Sequence, residues 1–238
     1  MTNGQREFKD YPRPSLAVDP AVMTVHDGRL WTILWRRQNA PQQGYWALPG
    51  AFVNEGEELE AAVARALRTK ANLDRTSYVE QLFAWNKVGR DPRGWVITVA
   101  YFALLPQKQL QAAVDGDKNV GLFALEFDGS SSGRPARVVG TDGRPVSPAF
   151  DHAEILGMVV RRLRERLWHS PVVLALLPER FTLHEMRTSY EAILGRSLNK
   201  DSFRRKVTNN KMLIQPTGEY QQDVDHRPAE LFARTIEL

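Results

Sequence analysis

Cysteine is absent from all 238 residues, which excludes disulfides and thiolate metal sites. Long apolar runs are absent too. Stretches such as Pro171-Val172-Val173-Leu174-Ala175-Leu176-Leu177 fall far short of the roughly 20 residues a membrane-spanning helix needs. The opening residues Met1-Thr2-Asn3-Gly4-Gln5-Arg6-Glu7 are polar, so no secretory leader is expected, and a reducing cytoplasm is the expected compartment. Charge imbalance is small, at +4, too little to single out nucleic acid as a partner. The five histidines, His26, His152, His169, His184 and His226, are scattered without metal-ligand spacing, so no metal site and no cofactor is expected. What is present, 42% hydrophobic and 25% charged residues, suits a globular chain able to bury a core.

Local patterns divide the chain. Apolar stretches at 21–25 and 30–35 flank Asp27-Gly28, a strong hairpin-turn pair. Residues 57–70 have helical periodicity, with Leu59, Ala62, Val63, Ala66 and Leu67 on one side. Strands are expected at 79–85, 95–105 and 121–127, and 129–148 reads as a Gly/Ser/Pro-rich loop or hairpin. Residues 151–168 form an amphipathic helix on Ile155, Met158, Val159, Leu163 and Leu167. Mostly helical sequence follows, which argues for two domains, 1–168 and 169–238.

The run Leu48-Pro49-Gly50-Ala51-Phe52-Val53-Asn54-Glu55-Gly56-Glu57 resembles the start of a Nudix box, the loop–helix–loop whose helix carboxylates hold magnesium for cleaving nucleoside diphosphate derivatives. Aligned on Glu57, the family arginine falls on Arg65 and the aliphatic positions on Leu67 and Leu73, but the glycines fall on Ala51 and Asn72. The three helix glutamates are replaced by Ala66, Thr69 and Lys70. Those positions share one helix face, and magnesium needs hard oxygen ligands there. A methyl, a hydroxyl and an ammonium cannot supply them, so efficient hydrolysis is not expected and no residue is assigned a catalytic role. Arg36, Arg37, Glu57, Arg65 and Lys70 are the candidate ligand-binding residues, the cations suiting a diphosphate. Two countervailing readings stand beside this: Arg65 as a structural salt-bridge partner, and Arg36 and Arg37 on opposite faces of a strand.

Farther on, Thr182-Leu183-His184-Glu185 has the capping-box signature of a helix start, and Gly195 marks its end. A short link leads to a second helix at about 200–210. Between Arg196 and Lys211 stand six basic residues against one acid. Two helices with a tight glycine joint and a basic second helix describe a helix-turn-helix, and strand-like pieces at 212–217 and 229–233 suit a wing. In the second helix Phe203 and Val207 face the core. Asp201, Arg205, Thr208 and Asn209 point most nearly outward, with Ser202 next and Arg204 and Lys206 on the flanks. The candidate DNA-binding set is Lys200, Ser202, Arg204, Arg205, Lys206, Thr208, Asn209, Lys211, Thr217 and Arg227; arginine and asparagine suit base edges and the flanking cations suit phosphates.

The combination resembles the Nudix-related transcriptional regulators of NAD metabolism, the NrtR family. The residues carrying this are Arg90-Asp91-Pro92-Arg93-Gly94, Ala149-Phe150-Asp151-His152-Ala153-Glu154-Ile155-Leu156, Tyr190-Glu191-Ala192-Ile193-Leu194-Gly195-Arg196, Phe203-Arg204-Arg205-Lys206-Val207, Thr217-Gly218-Glu219 and Arg227-Pro228-Ala229. The resemblance implies an α/β Nudix fold, a mixed sheet with flanking helices, followed by a C-terminal winged helix-turn-helix. It further implies a homodimeric repressor of NAD synthesis or salvage genes on a palindromic double-stranded DNA operator, with ADP-ribose or a related nucleotide as effector. The alternatives are an active ADP-ribose pyrophosphatase and a relative that answers to a sugar metabolite.

Overall fold

The computed structural model describes residue 7 and residues 11–127, 135–209, 213–222 and 227–235. Strand β1 (Ser15–His26) turns into β2 (Arg29–Arg36) through Asp27 and Gly28, both at positive φ (47° and 67°), the backbone that a two-residue type I′ hairpin demands. Short β3 (Trp46–Ala47) and β4 (Ala51–Phe52) precede helix α1 (Leu59–Ala71). Strands β5 (Tyr78–Trp85) and β6 (Val96–Leu104), helix α2 (Gln107–Val114) and strand β7 (Val120–Glu126) come next. Then follow β8 (Arg137–Gly140), β9 (Pro145–Val146) and α3 (His152–Arg166).

These strands form one mixed sheet in the order β5-β6-β1-β2-β7-β8-β9, with β3 beside β2 and β4 beside β1. β1 begins at Ser15 rather than at Ala21, as the apolar pattern suggests. It is buried on both faces, so the alternation that marks a half-exposed strand is missing. Its first half pairs with β4 at Ala17 and Val18, its second with β2 from Met23 onward. On that edge residues 19–22 have no strand partner among the described residues, and the sheet parts there beside Asp19.

Val18 and Val22 face α1 and α2, packing with Val63, Leu67, Val99, Tyr101 and Leu110. Ala21 and Met23 face α3, packing with Phe102, Leu104, Ile155, Val159 and Leu163. Nothing in the periodicity announces α2, because only its Leu110 and Ala113 are buried.

A 3₁₀ turn (Pro171–Leu176) leads to β10 (Phe181–Thr182), α4 (Leu183–Leu194), α5 (Lys200–Asn209), β11 (Ile214–Tyr220) and β12 (Glu230–Arg234). The capping box is formed: Glu185 N–H donates to Thr182 Oγ1 (3.1 Å) and Thr182 N–H to Glu185 Oε2 (2.7 Å). Gly195 closes α4 at φ 67°. Strands β10, β12 and β11 make the three-stranded wing. Its first long strand runs on to Tyr220, beyond the expected 217.

The apolar core runs unbroken from the sheet into this region. Trp168, just past α3, lies 5.0 Å from the Tyr190 ring and 6.2 Å from Phe203, and Tyr190 and Phe203 are 5.3 Å apart. Arg164 of α3 stacks on Phe127 (4.5 Å) and donates to the carbonyls of Ile193 (2.8 Å) and Leu194 (3.3 Å), capping the negative end of α4. Among the described residues no helix is long and apolar enough to cross a membrane.

Tyr190 is fully buried, and its hydroxyl has no hydrogen-bond partner among the described residues. Such a hydroxyl costs about 1–3 kcal/mol of desolvation. Tyr190→Phe is therefore expected to unfold at the same or higher urea concentration, gaining up to about 1 kcal/mol. A clear loss of stability would show that the hydroxyl has a partner.

Candidate functional site

Where the sheet parts, a cleft of about 210 Å³ opens between β1, the end of β2, the loop around Gly50, α1, the β5–β6 loop and the start of α3. Its floor is a buried ion network. The Arg90 guanidinium forks onto Asp151 (Nε to Oδ2 3.0 Å, Nη2 to Oδ1 2.7 Å) and also reaches Asp19 Oδ2 (3.2 Å). All three side chains are less than a tenth exposed. His152 completes the group. Its Nδ1 accepts the Leu48 N–H (2.9 Å), so the neutral ring carries its proton on Nε2, 3.7 Å from Asp19 Oδ1. Burial lowers its pKa below the ordinary 6.5, outweighing the pull of Asp19 and Asp151, while Arg90 and Arg37 push the same way as burial.

Gly50 lets the chain pass this network. A Cβ there would lie 2.0 Å from Asp19 Oδ1 and 2.9 Å from the Val18 carbonyl, closer than atoms approach.

The walls are cationic and aromatic. Arg37 donates from Nε to the Pro41 carbonyl (2.8 Å) and lies on the Phe150 ring (4.8 Å). Phe150 is itself held at φ 52°, its N–H bonded to Gln42 Oε1 (2.8 Å). Lys70 donates to the Gly50 carbonyl and lies over Trp35 (4.7 Å). Arg93 forks onto Asp91 (2.9 and 2.6 Å) and covers Phe52 (5.0 Å). Arg90 and Arg93 thus have carboxylate partners, whereas Arg37 and Lys70 form no ion pair among the described residues. Burial depresses the pKa of both, and the Arg93 charge adds to it. An anion entering the cleft would find unneutralised donors beside flat aromatic faces.

Of the five candidate ligand residues, Arg37 and Lys70 line this cleft. Arg36 does not; it is exposed, with Nε on the Gly44 carbonyl (3.3 Å), the strand alternation having turned it away. Glu57 and Arg65 also lie outside. They fork onto each other (2.7 Å twice), and Arg65 reaches the Phe52 carbonyl (2.8 Å), bracing the loop on α1. The Arg65 hydrogen bond holds the Glu57 carboxyl down at about 2.

The resemblance to a Nudix box implies magnesium on α1, and the residues present do not fit it. Ala66 is fully buried, Thr69 Oγ1 is bonded to the Arg65 carbonyl (2.8 Å), and Lys70 is a cation. Among the described residues no group of three His, Asp or Glu is placed to hold a metal.

Asp19, Arg90, Asp91, Arg93, Phe150, Asp151 and His152 are absent from the candidate set. Two short motifs carry most of them, Arg90-Asp91-Pro92-Arg93 and Phe150-Asp151-His152. Charge density in a loop and at a helix start was the available signal; Asp19 has none, standing alone in an apolar strand.

The basic helix α5 is docked by Phe203 and Val207, leaving Lys200, Ser202, Arg204, Arg205, Lys206 and Asn209 exposed. Thr208 is half-buried, with Oγ1 on the Arg204 carbonyl (2.8 Å). Lys206 Nζ sits 3.7 Å over Trp168, so its charge is partly engaged at home. In the wing, Thr217 Oγ1 donates to the Leu231 carbonyl (2.8 Å) and accepts from Glu219 N–H (3.1 Å), a role internal to the hairpin. Arg227 is exposed, and Lys211 lies outside the described residues.

Residues 173–233 match the model of the NrtR DNA-binding winged helix domain, and 16–126 that of the NUDIX domain. Over 96% of its length the chain is 34% identical to an ADPR responsive transcriptional repressor, NtrR, of Acinetobacter baylyi, covering 85% of that protein. The crystal structure of Shewanella oneidensis NrtR complexed with a 27mer DNA superimposes with a TM-score of 0.74 at 32% identity, over 92% of this chain and 93% of that one. The NUDIX domain of the same Shewanella protein complexed with ADP ribose matches at TM-score 0.50 and 29% identity, over 68% of this chain and 99% of that one.

Two outcomes follow from the cleft. Gly50→Ala is expected to lose at least about 2 kcal/mol in urea unfolding, because backbone and a buried carboxylate both block the methyl. The unfolded chain protonates His152 near pH 6.5 and the folded one only lower, so the unfolded state binds more protons in that window. Stability from this residue is present above pH 6.5 and is lost as pH falls, by up to about 1.4 kcal/mol per pH unit. In His152→Asn, which can keep an acceptor for Leu48 N–H, the urea midpoint should depend less on pH; an unchanged slope would refute the assignment.

Proposed function

The chain belongs to the NrtR family of Nudix-related regulators, and on that premise we propose that it is a DNA-binding repressor of NAD synthesis or salvage genes. Residues 169–238 bind a palindromic operator, with the chain acting as a homodimer. Residues 1–168 hold ADP-ribose or a related nucleotide and do not hydrolyse it efficiently.

One observation carries the effector reading: among the described residues Arg37 and Lys70 have no carboxylate partner, and they line a cleft walled by Trp35 and Phe150. Two cations with donor hydrogens to spare, beside flat rings, suit the diphosphate and the base of a nucleotide. The DNA reading is supported by a winged helix whose α5 presents Arg204 and Arg205 to solvent. Arg205 suits base edges, Arg204 and Lys200 suit phosphates, and Asn209 can read adenine. The relatives named for DNA and for ADP-ribose support both halves.

Fluorescence anisotropy on labelled DNA from upstream of its own gene and of NAD-synthesis genes tests this. Arg205→Ala should weaken specific binding by about 10- to 100-fold, the worth of one bidentate base contact. Arg204→Ala should weaken all sequences alike and lower the salt slope by about 1. ADP-ribose should release the wild-type protein, and incubation with magnesium should leave it uncleaved. Absence of specific DNA binding, with rapid magnesium-dependent production of AMP, would replace the repressor by the hydrolase.

A further inference from the structure

We infer that Lys70 takes the place of a bound divalent cation, its ammonium meeting the diphosphate of a nucleotide ligand in the cleft without a metal. The inference rests on the proposed nucleotide-binding role of that cleft and adds how the ligand's charge is met.

The geometry at α1 carries it. The helix face that should cage a metal has no free oxygen donor to give: Ala66 is an interior methyl, the Thr69 hydroxyl is turned back onto its own helix, and Glu57 gives both oxygens to Arg65. What projects instead is a positive charge. Lys70 is fixed in place by the Gly50 carbonyl and the Trp35 face. An ammonium has three donor hydrogens, and the Gly50 carbonyl takes one, so two remain for phosphate oxygens. Arg37 lines the same cleft, and like Lys70 it forms no ion pair among the described residues.

The charge balance agrees. Arg90 is saturated by Asp151 and Asp19, and Arg93 by Asp91. Burial lowers the Lys70 pKa, and repulsion from Arg37, Arg65 and Arg93 works against the pull of Asp19. A diphosphate would relieve that repulsion, whereas a divalent cation would add to it. A metal-dependent site is built the other way round, with carboxylates that repel phosphate until the metal arrives.

Calorimetric titration of the full chain with ADP-ribose, in EDTA and in magnesium, tests the idea. Wild type is expected to bind equally well in both. Lys70→Met should lose about tenfold or more in both buffers, the worth of a charge-assisted hydrogen bond. The ADP-ribose loss should come from the diphosphate: a variant that loses affinity for adenosine, which lacks it, by the same factor would overturn the assignment of Lys70 to the diphosphate. Binding of ADP-ribose by wild type only with magnesium would overturn the role of Lys70 and leave the nucleotide reading standing. So would a Lys70→Met protein that binds ADP-ribose as tightly as wild type. Failure of wild type to bind under either condition would overturn both. The EDTA comparison needs no variant, so it decides even if Lys70→Met folds poorly.

Discussion

The contact on which the rest depends is the buried fork between Arg90 and Asp151, with Asp19 as its third member. It joins three segments distant in sequence: the strand at the centre of the sheet, the β5–β6 loop and the start of α3. Buried ions are expensive, and removing one partner from such a group typically costs about 3–5 kcal/mol because the others are left unpaired. One guanidinium faces two carboxylates here, so the network keeps an excess negative charge. His152 turns its Nε2 proton toward that excess, and Lys70 and Arg37 feel it from the cleft walls. The same Asp19 that anchors the floor thus also favours the charged forms of the cations on the cleft walls.

That network also fixes where α3 begins, and α3 fixes where α4 sits. The helix has 15 residues, a rod of about 22 Å. Its first turn carries His152, behind the cap residue Asp151, and its last carries Arg164, which caps the end of α4. Trp168 follows immediately and seats α5 through Phe203. Cleft and basic helix are therefore connected by one rigid element and one continuous apolar core.

The winged helix was largely legible in the sequence because its signals are local. Thr182 and Glu185 are three residues apart, Gly195 ends the helix it follows, and Phe203 and Val207 are one turn apart. The cleft was not legible, because nothing in the chain near Asp19 points to Arg90, 71 residues on, or to His152. Aligning the box by spacing brought Glu57, Arg65 and Lys70 forward together, yet the first two brace each other while the third crosses to Gly50. Side-chain direction, not spacing, made that division. Arg36 and Arg37 show the same limit: alternation says that only one faces inward, and only the folded chain, with Arg37 lining the cleft and Arg36 exposed, says which.

The fate of the α1 face follows from the same electrostatics. Three carboxylates at positions 66, 69 and 70 would repel one another and be tolerable only with a metal among them. Position 66 is fully buried, so a glutamate there would also bear a desolvation cost. Once metal is not held, alanine at 66 fills the space without charge, threonine at 69 satisfies its hydroxyl on the helix backbone, and lysine at 70 gains a carbonyl and an aromatic face. At 66 the alanine avoids that desolvation cost, and at 69 and 70 the repulsion between neighbouring carboxylates is absent. Where the Nudix box has carboxylates, this helix carries a methyl, a hydroxyl and the Lys70 ammonium, and of the three only Lys70 lines the cleft.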